Sequence, residues 1–166
     1  MSRVTFQAEG FGVITVTACQ GKIVALDFGA PVLEDENDSP SGDDTADGSV
    51  LREAVTALKM YFRGRGDDID LPLAPAGTDY QRRVWEADRH IPRGQTRTYG
   101  EMARTVGGSP RSIGGANRAN PIPILIPCHR VCAWNGIGGY AGTTQEGFQL
   151  QIKRRLLHLE GVHAPR

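Results

Sequence analysis

The amino-acid sequence predicts an α+β fold: a small N-terminal antiparallel sheet with a helix, followed by a mostly helical C-terminal domain that contains a helix-turn-helix. Three observations predict it. Segments rich in β-branched and aromatic residues occur early in the chain, helical periodicity dominates its second half, and the proline-containing stretch DIDLPLAPAG separates the two. We place the boundary near residue 76, which gives domains over 1–76 and 77–166.

The N-terminal domain begins with three strand-like segments, RVTFQ, FGVITVTA and KIVALDF, separated by Gly10 and by the tripeptide CQG. These short connections predict an antiparallel meander. Residues 34–49 contain seven acidic and no basic residues, which predicts a solvated surface loop. Apolar residues at helical spacing then predict a helix over 50–62, with Ser49 as its N-cap.

The C-terminal domain contains four segments with helical signals, at 79–90, 99–106, 110–119 and 146–159. The first three begin at residue pairs that favour a helix start: Thr78 with Gln81, Thr98 with Glu101, and Ser109 with Pro110. The last segment has apolar residues at every third or fourth position, which predicts that it packs against the core.

Two of these helices are separated by a three-residue turn that contains glycine, the spacing of a helix-turn-helix. In that motif the second helix contacts DNA through its N-terminal residues, here Arg111 and Ser112. An ordinary pair of antiparallel helices has the same spacing, so the interpretation depends on the charge of the domain.

The formal net charge of the chain is zero, but its two halves carry opposite charges. Residues 1–76 contain 6 basic and 13 acidic residues, a net charge of −7, whereas residues 77–166 contain 13 basic and 6 acidic residues, a net charge of +7. Such asymmetry is typical of proteins that bind a polyanion, although the two halves could also neutralise each other. The basic half favours DNA binding.

The chain contains only three cysteines, Cys19, Cys128 and Cys132, which argues against a disulfide framework. The N-terminus lacks the apolar core of a signal peptide, and no apolar run approaches the roughly 20 residues that span a bilayer. We therefore expect a monomer without a membrane partner, cytoplasmic in a bacterium or nuclear in a eukaryote.

The stretch NPIPILIPCHRVC, which ends at Cys132, places a thiol next to an imidazole and a guanidinium. A structural zinc site needs four ligands, and Cys128, His129 and Cys132 lack a second pair, so we expect no metal. The basic neighbours of Cys128 favour a nucleophile. A buried structural thiol fits the apolar run equally well, and the residues alone leave these two interpretations open.

The motif PCHRV at 127–131, preceded by NPIPILI and followed by GIGGYAG, resembles the signature of the O6-alkylguanine-DNA alkyltransferases. The similarity extends from GTDYQRRVWEADRHIPRGQTRTYGEMA, which starts at residue 77, to KRRLLHLEG, which ends at residue 161. It implies direct-reversal DNA repair, with alkylated double-stranded DNA as the partner and no cofactor. One alkyl group would pass from O6 of guanine, or from O4 of thymine, to Cys128.

The resemblance also implies roles for the residues around this thiol. Cys128 would be the alkyl acceptor, which is not regenerated, so that the protein acts once. His129 would be a base that acts through a water molecule and is oriented by Glu160. Asn120 would hold the turn that positions the PCHRV segment.

Further residues are assigned by the resemblance to the guanine base. Tyr99 would contact N3, and the carbonyl groups of Cys128 and Val131 would contact the exocyclic amine. The backbone N–H of Ala141 would face O6, and Pro123 would also bind the substrate.

The resemblance places the second helix of the helix-turn-helix in the minor groove, where Arg111 would replace the extruded nucleotide in the base stack. Further DNA contacts would come from Gly100, Ser109, Ser112 and Arg118. The segment VGGSPRSIGG is about two residues shorter than in many relatives, and GTTQEGFQLQIK is longer than in the human relative.

Two other functions are compatible with parts of this pattern. A non-catalytic binder of alkylated DNA would have the same fold, but relatives of that kind carry tryptophan in place of the cysteine. A cysteine hydrolase could use Cys128, a histidine and Asn120, but nothing in the sequence indicates a pocket for a peptide or an ester.

Overall fold

The computed structural model describes residues 1–28, 45–66, 68–137 and 148–162. The chain forms two compact units, Met1–Ala76 and Gly77–Arg166. The first contains a three-stranded sheet and one helix, and the second contains four helices and a two-stranded parallel pair among its described residues. The α+β fold predicted from the sequence is confirmed. None of the described helices is long and apolar enough to cross a membrane.

The sheet of the first unit is the predicted antiparallel meander, in the order β1 (Ser2–Ala8), β2 (Gly12–Cys19) and β3 (Lys22–Phe28). The hairpin between β2 and β3 turns through Gln20 and Gly21, both with positive φ, as a two-residue turn between twisted strands requires. Strand β2 is buried along most of its length because it lies between the other two strands and carries apolar residues.

Helix α1 (Ala46–Phe62) starts four residues earlier than predicted, and its N-cap is Thr45 rather than Ser49. The Thr45 side chain accepts a hydrogen bond from the N–H of Gly48 at 3.2 Å. Asp47 stabilises the first turn and also accepts a hydrogen bond from the N–H of Gly21. The prediction of a loop over 34–49 is therefore wrong at its last four residues, 46–49, and residues 34–44 lie outside the described residues.

The described part of the second unit contains four α-helices, and the first three begin where the capping signals predict. They are α2 (Asp79–Arg89), α3 (Tyr99–Val106), α4 (Pro110–Arg118) and α5 (Phe148–Leu159). All three predicted N-caps, at Thr78, Thr98 and Ser109, form complete capping boxes. Helices α2 and α4 each end one residue before the predicted position, and the predicted start of α5 at 146 lies outside the described residues.

Trp85 joins α2 to α4 in the core of the second unit. Its ring is 1% exposed, and its indole N–H donates a hydrogen bond to the carbonyl of Ala116 at 2.8 Å. A Cβ added to Gly77 would lie 2.5 Å from the Trp85 ring, so only glycine fits where the chain enters α2. A cluster of buried apolar residues from α2, α3 and α4 also contains Val131, which lies in the segment after residue 120.

A parallel pair of two-residue strands, β4 (Arg97–Thr98) and β5 (Val131–Cys132), was not predicted. Thr98 pairs with Cys132, so the start of α3 lies beside the segment that carries the thiols. Strands this short have no periodicity that could be read from the sequence. This pair nevertheless determines which residues meet at the candidate site.

Candidate active site

The loop that precedes Cys128 is held closed by the side chain of Asn120. Its amide N–H donates to the carbonyl of Ile126, and its amide oxygen accepts from the N–H of Ile122, both at 2.9 Å. Between them Ile124 has φ +72°, a conformation that a β-branched residue rarely adopts. The Asn120 hydrogen bonds hold the chain in this strained turn, which delivers Cys128 to the start of a 3₁₀ turn over Cys128–Arg130.

Cys128 and Cys132 are both buried and neither forms a disulfide. The N–H of Cys128 donates to the carbonyl of Ile126 at 2.8 Å, which places the residue at the end of the clamped loop. Burial raises the pKa of Cys132, so this second thiol is held as the protonated form. Within the part of the chain that the structure describes, no group of three or more histidine, cysteine or carboxylate side chains could hold a metal ion.

His129, Arg130 and Glu160 form a buried hydrogen-bonded cluster. The His129 Nε2 lies 2.6 Å from Glu160 Oε2, and the Arg130 guanidinium donates to Glu160 Oε1 at 2.8 Å and to Oε2 at 3.2 Å. Arg130 also donates to the carbonyl of Ile91 at 2.6 Å, which ties the cluster to the end of α2. The predicted pairing of His129 with Glu160 is therefore present, and Arg130 is an additional partner.

The protonation states of this cluster follow from its burial and charges. Burial would raise the pKa of Glu160, but hydrogen bonds and charges from His129 and Arg130 outweigh it and lower the pKa to about 2. Burial lowers the pKa of His129, and the opposing hydrogen bond to Glu160 does not reverse this shift. At neutral pH the cluster therefore contains a carboxylate, a guanidinium and a neutral imidazole.

The tautomer of His129 is determined by its carboxylate partner. An ionised carboxylate can only accept hydrogen bonds, so Nε2 of His129 carries the proton and donates it to Glu160. The lone pair is then on Nδ1, which is buried and has no hydrogen-bond partner among the described residues. This atom is the position at which His129 can accept a proton.

Lys153 brings a cation to the same region from α5. Its side chain is fully buried, its Nζ donates to the carbonyl of Val131 at 2.8 Å, and it lies 5.7 Å from the centre of the Tyr99 ring. Burial lowers the pKa of Lys153, whereas the nearby Cys132 and Cys128 oppose that shift. Because this electrostatic interaction is mutual, the ammonium group of Lys153 also favours a negative charge on Cys128.

Tyr99, the first residue of α3, is half-buried beside these groups. Burial raises its pKa, and the electrostatic effects of Cys132 and Cys128 add to the rise. The phenol therefore remains protonated throughout the physiological range and can act as a hydrogen-bond donor. A protonated phenol is compatible with the donor role that the resemblance implies.

The two backbone carbonyl groups that the resemblance assigns to the guanine amine, those of Cys128 and Val131, each accept a hydrogen bond within the protein. The Val131 carbonyl accepts from Lys153, and the Cys128 carbonyl accepts from the N–H of Val131. A carbonyl oxygen has two lone pairs and can accept two hydrogen bonds. Pro123 lies half-buried in the loop clamped by Asn120. Ala141 lies outside the described residues.

The residues predicted to contact DNA lie on α3 and α4, most of them around the starts of these helices. Arg111 is exposed at the second position of α4, Arg118 is exposed at the end of the same helix, and Gly100 is half-buried in the first turn of α3. Ser109 and Ser112 are both engaged in capping α4. Their hydroxyl groups therefore hold the start of the helix together, and Arg111 is the better placed to reach a ligand.

The turn between α3 and α4 is fastened by Tyr80, which sequence reasoning missed. Its hydroxyl donates to the carbonyl of Gly107 at 3.0 Å and lies 2.8 Å from the Ser112 hydroxyl. Lys153 was missed as well, because α5 was assigned to core packing alone. The sequence does place Lys153 on the same helical face as Leu156 and Glu160. A lysine on an apolar face indicates a buried charge, which needs a specific partner.

Two family models together match most of the chain. Residues 79–162 match the DNA-binding domain of 6-O-methylguanine DNA methyltransferase, and residues 5–75 match the ribonuclease-like domain of the same family. Relatives named methylated-DNA–protein-cysteine methyltransferase include a protein of Methanosarcina acetivorans, which is 48% identical over 114 residues, 67% of this chain and 69% of the relative. Another, from Mycobacterium tuberculosis, is 44% identical over 124 residues, 73% of this chain and 72% of the relative.

Solved structures give the same result for the fold. The crystal structure of Mycobacterium tuberculosis O6-methylguanine methyltransferase superposes with a TM-score of 0.74 at 34% identity, covering 95% of this chain and 91% of that chain. The structure of the Mycobacterium tuberculosis OGT in complex with DNA gives a TM-score of 0.74 at 35% identity, covering 98% and 94%. The chain therefore belongs to the 6-O-methylguanine DNA methyltransferase family.

Proposed function

We propose that this protein repairs double-stranded DNA by transferring the alkyl group of O6-alkylguanine to Cys128, once per protein molecule. The observation that carries the proposal is the environment of this buried thiol. A buried ammonium group interacts with it electrostatically, and the adjacent histidine is a neutral imidazole with an open Nδ1. Such surroundings favour a thiolate, which a structural thiol would not need. Membership of the family supports the same assignment.

The transfer is a single displacement. Sγ of Cys128 attacks the alkyl carbon, an S–C bond forms, and the bond between that carbon and O6 of guanine breaks. The thiol proton passes through a water molecule to Nδ1 of His129, whose Nε2–H remains bonded to Glu160. The electron pair of the broken bond stays on the guanine, which takes up a proton from water as it leaves, and His129 returns its proton to the solvent. The products are an S-alkylcysteine and an unmodified guanine.

The leaving guanine needs a hydrogen-bond donor because negative charge develops on it. The Tyr99 phenol is suited to this task, since its raised pKa keeps it protonated and it lies close to the thiols. Its hydroxyl would donate to N3 of guanine, and the carbonyl groups of Cys128 and Val131 would accept from the exocyclic amine. The same contacts would favour guanine over adenine, which has no amine at that position.

A base in a DNA duplex cannot reach a buried thiol unless its nucleotide leaves the stack. Arg111 is exposed at the start of α4, and its planar guanidinium is able to stack in the gap that the nucleotide leaves. Seven more basic than acidic residues in 77–166 would attract the phosphate backbone to this unit. We propose that a single protein molecule is sufficient, and that it acts in the compartment that holds the genomic DNA.

The experiment that tests the proposal measures the intact mass of the protein after incubation with duplex DNA containing O6-methylguanine. The wild type is expected to gain one methyl group per chain, with a stoichiometry of one, and peptide mapping is expected to place it on Cys128. Cys128→Ser is expected to bind the DNA and gain nothing. Cys132→Ser is the matched control and should be methylated like the wild type. A folded wild-type protein that binds this DNA without gaining mass would be a lesion binder instead.

A further inference from the structure

Trp134 is a large aromatic side chain that the proposed transfer does not use. It is 85% exposed, whereas the only other tryptophan of the chain, Trp85, is 1% exposed. Tryptophan is usually buried because its ring carries the largest apolar surface of any residue. Among the described residues of 77–166, Trp134 is the one large apolar side chain that is exposed.

The backbone that carries Trp134 is held in a tight turn. Trp134 is the second residue of this turn, in which the N–H of Gly136 donates to the carbonyl of Ala133 at 3.4 Å. The turn is anchored on both sides by buried residues, Cys132 and Ile137, which belong to one apolar cluster with α5. The indole is therefore presented to solvent from a fixed support.

The turn lies at the same edge of the unit as the candidate site. Strands β4 and β5 are parallel and pair Thr98 with Cys132, so both chains leave the pair in the same direction. One continues into Tyr99 and the start of α3, and the other continues into the turn with Trp134. Neighbouring strands are about 4.8 Å apart, which places the turn beside the helix start where the guanine is proposed to bind.

We propose that Trp134 stacks on a nucleobase of the DNA strand next to the extruded nucleotide. The proposal rests on the proposed function and adds a contact to it. Extrusion interrupts the base stack and leaves a neighbouring base face without its partner, which the indole face can cover. Stacking on an aromatic ring is tolerant of base identity, so it would strengthen binding without restricting the sequence around the lesion.

The surroundings favour a nucleic acid over a protein as the partner of this ring. A protein-docking surface normally has an apolar patch with several members, and here a single aromatic ring stands alone within the described part of 77–166. This half of the chain has a net charge of +7, which complements a polyanion. An exposed aromatic ring on a unit of positive net charge is a combination used to bind strands of nucleic acid.

The test uses tryptophan fluorescence, because the two tryptophans differ so strongly in exposure. Cys128→Ser is the background in all binding measurements, so that no transfer occurs. Saturating duplex DNA with O6-methylguanine is expected to quench the emission and to protect it from acrylamide. In Trp134→Phe, which retains only the buried Trp85, both changes are expected to disappear. An unchanged DNA response in Trp134→Phe would overturn the proposal.

Affinity and rate provide a second, independent readout. Trp134→Ala is expected to weaken binding of the alkylated duplex at least about fivefold, and Trp134→Phe less, since phenylalanine keeps a smaller stacking face. The rate of transfer from free O6-benzylguanine, which has no strand to stack on, should not change. Equal affinity of Trp134→Ala and wild type would overturn the proposal, and so would an equal loss of rate on the free base. Methyl transfer to Cys128, measured separately in wild type and in Trp134→Ala, which both retain Cys128, shows that the proposed function stands independently.

Discussion

The hydroxyl of Tyr80 lies 2.8 Å from the hydroxyl of Ser112, and it also donates to the carbonyl of Gly107 at 3.0 Å. This phenol fastens α2 to the turn between α3 and α4. The turn packs closely against these hydroxyl groups at Gly108, where an added Cβ would lie 2.5 Å from both oxygen atoms. Ser112 is also the capping partner of Ser109, so Tyr80 supports the helix start that carries Arg111.

Tyr80→Phe removes this oxygen and keeps the ring. We expect repair of alkylated duplex DNA to slow, because the start of α4 loses one of its supports, while transfer from free O6-benzylguanine keeps its rate. The loss of two partly exposed hydrogen bonds should lower the free energy of unfolding by about 1 kcal/mol. Single-turnover rates on both substrates and urea denaturation measure these effects. An equal slowing on both substrates would indicate a general loosening of the unit instead.

Arg111→Ala tests the proposed extrusion step. The variant should transfer the alkyl group from free O6-benzylguanine at nearly the wild-type rate, since a free base needs no extrusion. On duplex DNA we expect a loss of about tenfold or more, because holding a nucleotide out of the stack requires compensation of a few kcal/mol. Arg104→Ala is a matched control that removes an exposed arginine near the end of α3. The role assigned to Arg111 would be wrong if both substrates reacted equally slowly.

Glu160→Gln removes the charge that fixes the His129 tautomer and pairs with Arg130. We expect slower transfer on duplex DNA and on the free base alike, with nearly unchanged DNA affinity. The variant should also be less stable at neutral pH by about 3 kcal/mol, because a buried guanidinium loses its counter-charge. A defect confined to DNA affinity, measured by anisotropy with Cys128→Ser as background, would contradict the proton path through His129.

The same residue predicts a pH dependence of stability. The pKa of Glu160 is about 2 in the folded protein, below its ordinary value of 4.5. Its stabilising contribution is therefore complete above pH 4.5 and is lost as the pH falls from 4.5 towards 2. The difference in unfolding free energy between wild type and Glu160→Gln should shrink over that window. A constant difference would show that the pKa of Glu160 is not lowered in the folded protein.

Local signals predicted the fold more fully than they predicted the site. The capping boxes at Thr78, Thr98 and Ser109 are encoded within four consecutive residues each, so the helix starts could be located from the sequence. The start of α1 was misplaced because Thr45 and Ser49 are both good N-caps. Asp47, in the first turn after Thr45, accepts a hydrogen bond from Gly21 in a hairpin 26 residues earlier. The local sequence around residue 45 does not indicate that contact.

The site depends on contacts between residues far apart in the chain. Cys128, His129 and Asn120 were found because they lie within one short motif, and Glu160 because of the family resemblance. The tautomer of His129 is fixed by the Glu160 carboxylate, 31 residues away along the chain. Arg130 also donates to this carboxylate and helps to keep it ionised. Lys153 reaches Val131 across 22 residues, and its helical pattern indicated only core packing.

Asp88 is a buried carboxyl group with no role in the proposed reaction. It is fully buried on the core face of α2, and neither of its oxygen atoms has a hydrogen-bond partner among the described residues. Burial raises its pKa well above 3.8. Its folded-state pKa is therefore higher than its unfolded one, and the protein loses stability as the pH rises through the folded-state value.

We expect Asp88→Leu to be more stable than the wild type at pH 8, by about 1–3 kcal/mol, because it removes a buried polar group without partners. The advantage should fall as the pH is lowered and be smallest below pH 3.8, where Asp88 is protonated in both states. Urea denaturation at both pH values measures this. Asp79→Leu, on the exposed first turn of the same helix, is the control. An advantage independent of pH would show that packing, and not ionisation, explains the gain.

Lys153→Met separates the stability of the fold from the reactivity of the thiol. Methionine has nearly the same length and no charge, so it removes a buried cation without leaving a large cavity. We expect the free energy of unfolding to stay level or rise, because the ammonium group is desolvated in the wild type. Transfer should slow on duplex DNA and on free O6-benzylguanine, since the charge that favours the Cys128 thiolate is gone.

The pH dependence of that loss identifies its cause. Without the ammonium group the thiolate forms less readily, so the rate of transfer from free O6-benzylguanine should reach its plateau at a higher pH in Lys153→Met than in the wild type. Lys153→Arg keeps a cation and should restore part of the rate at neutral pH. If Lys153→Met lowered the rate by the same factor at every pH, Lys153 would act by positioning Val131 and Tyr99 and not through its charge.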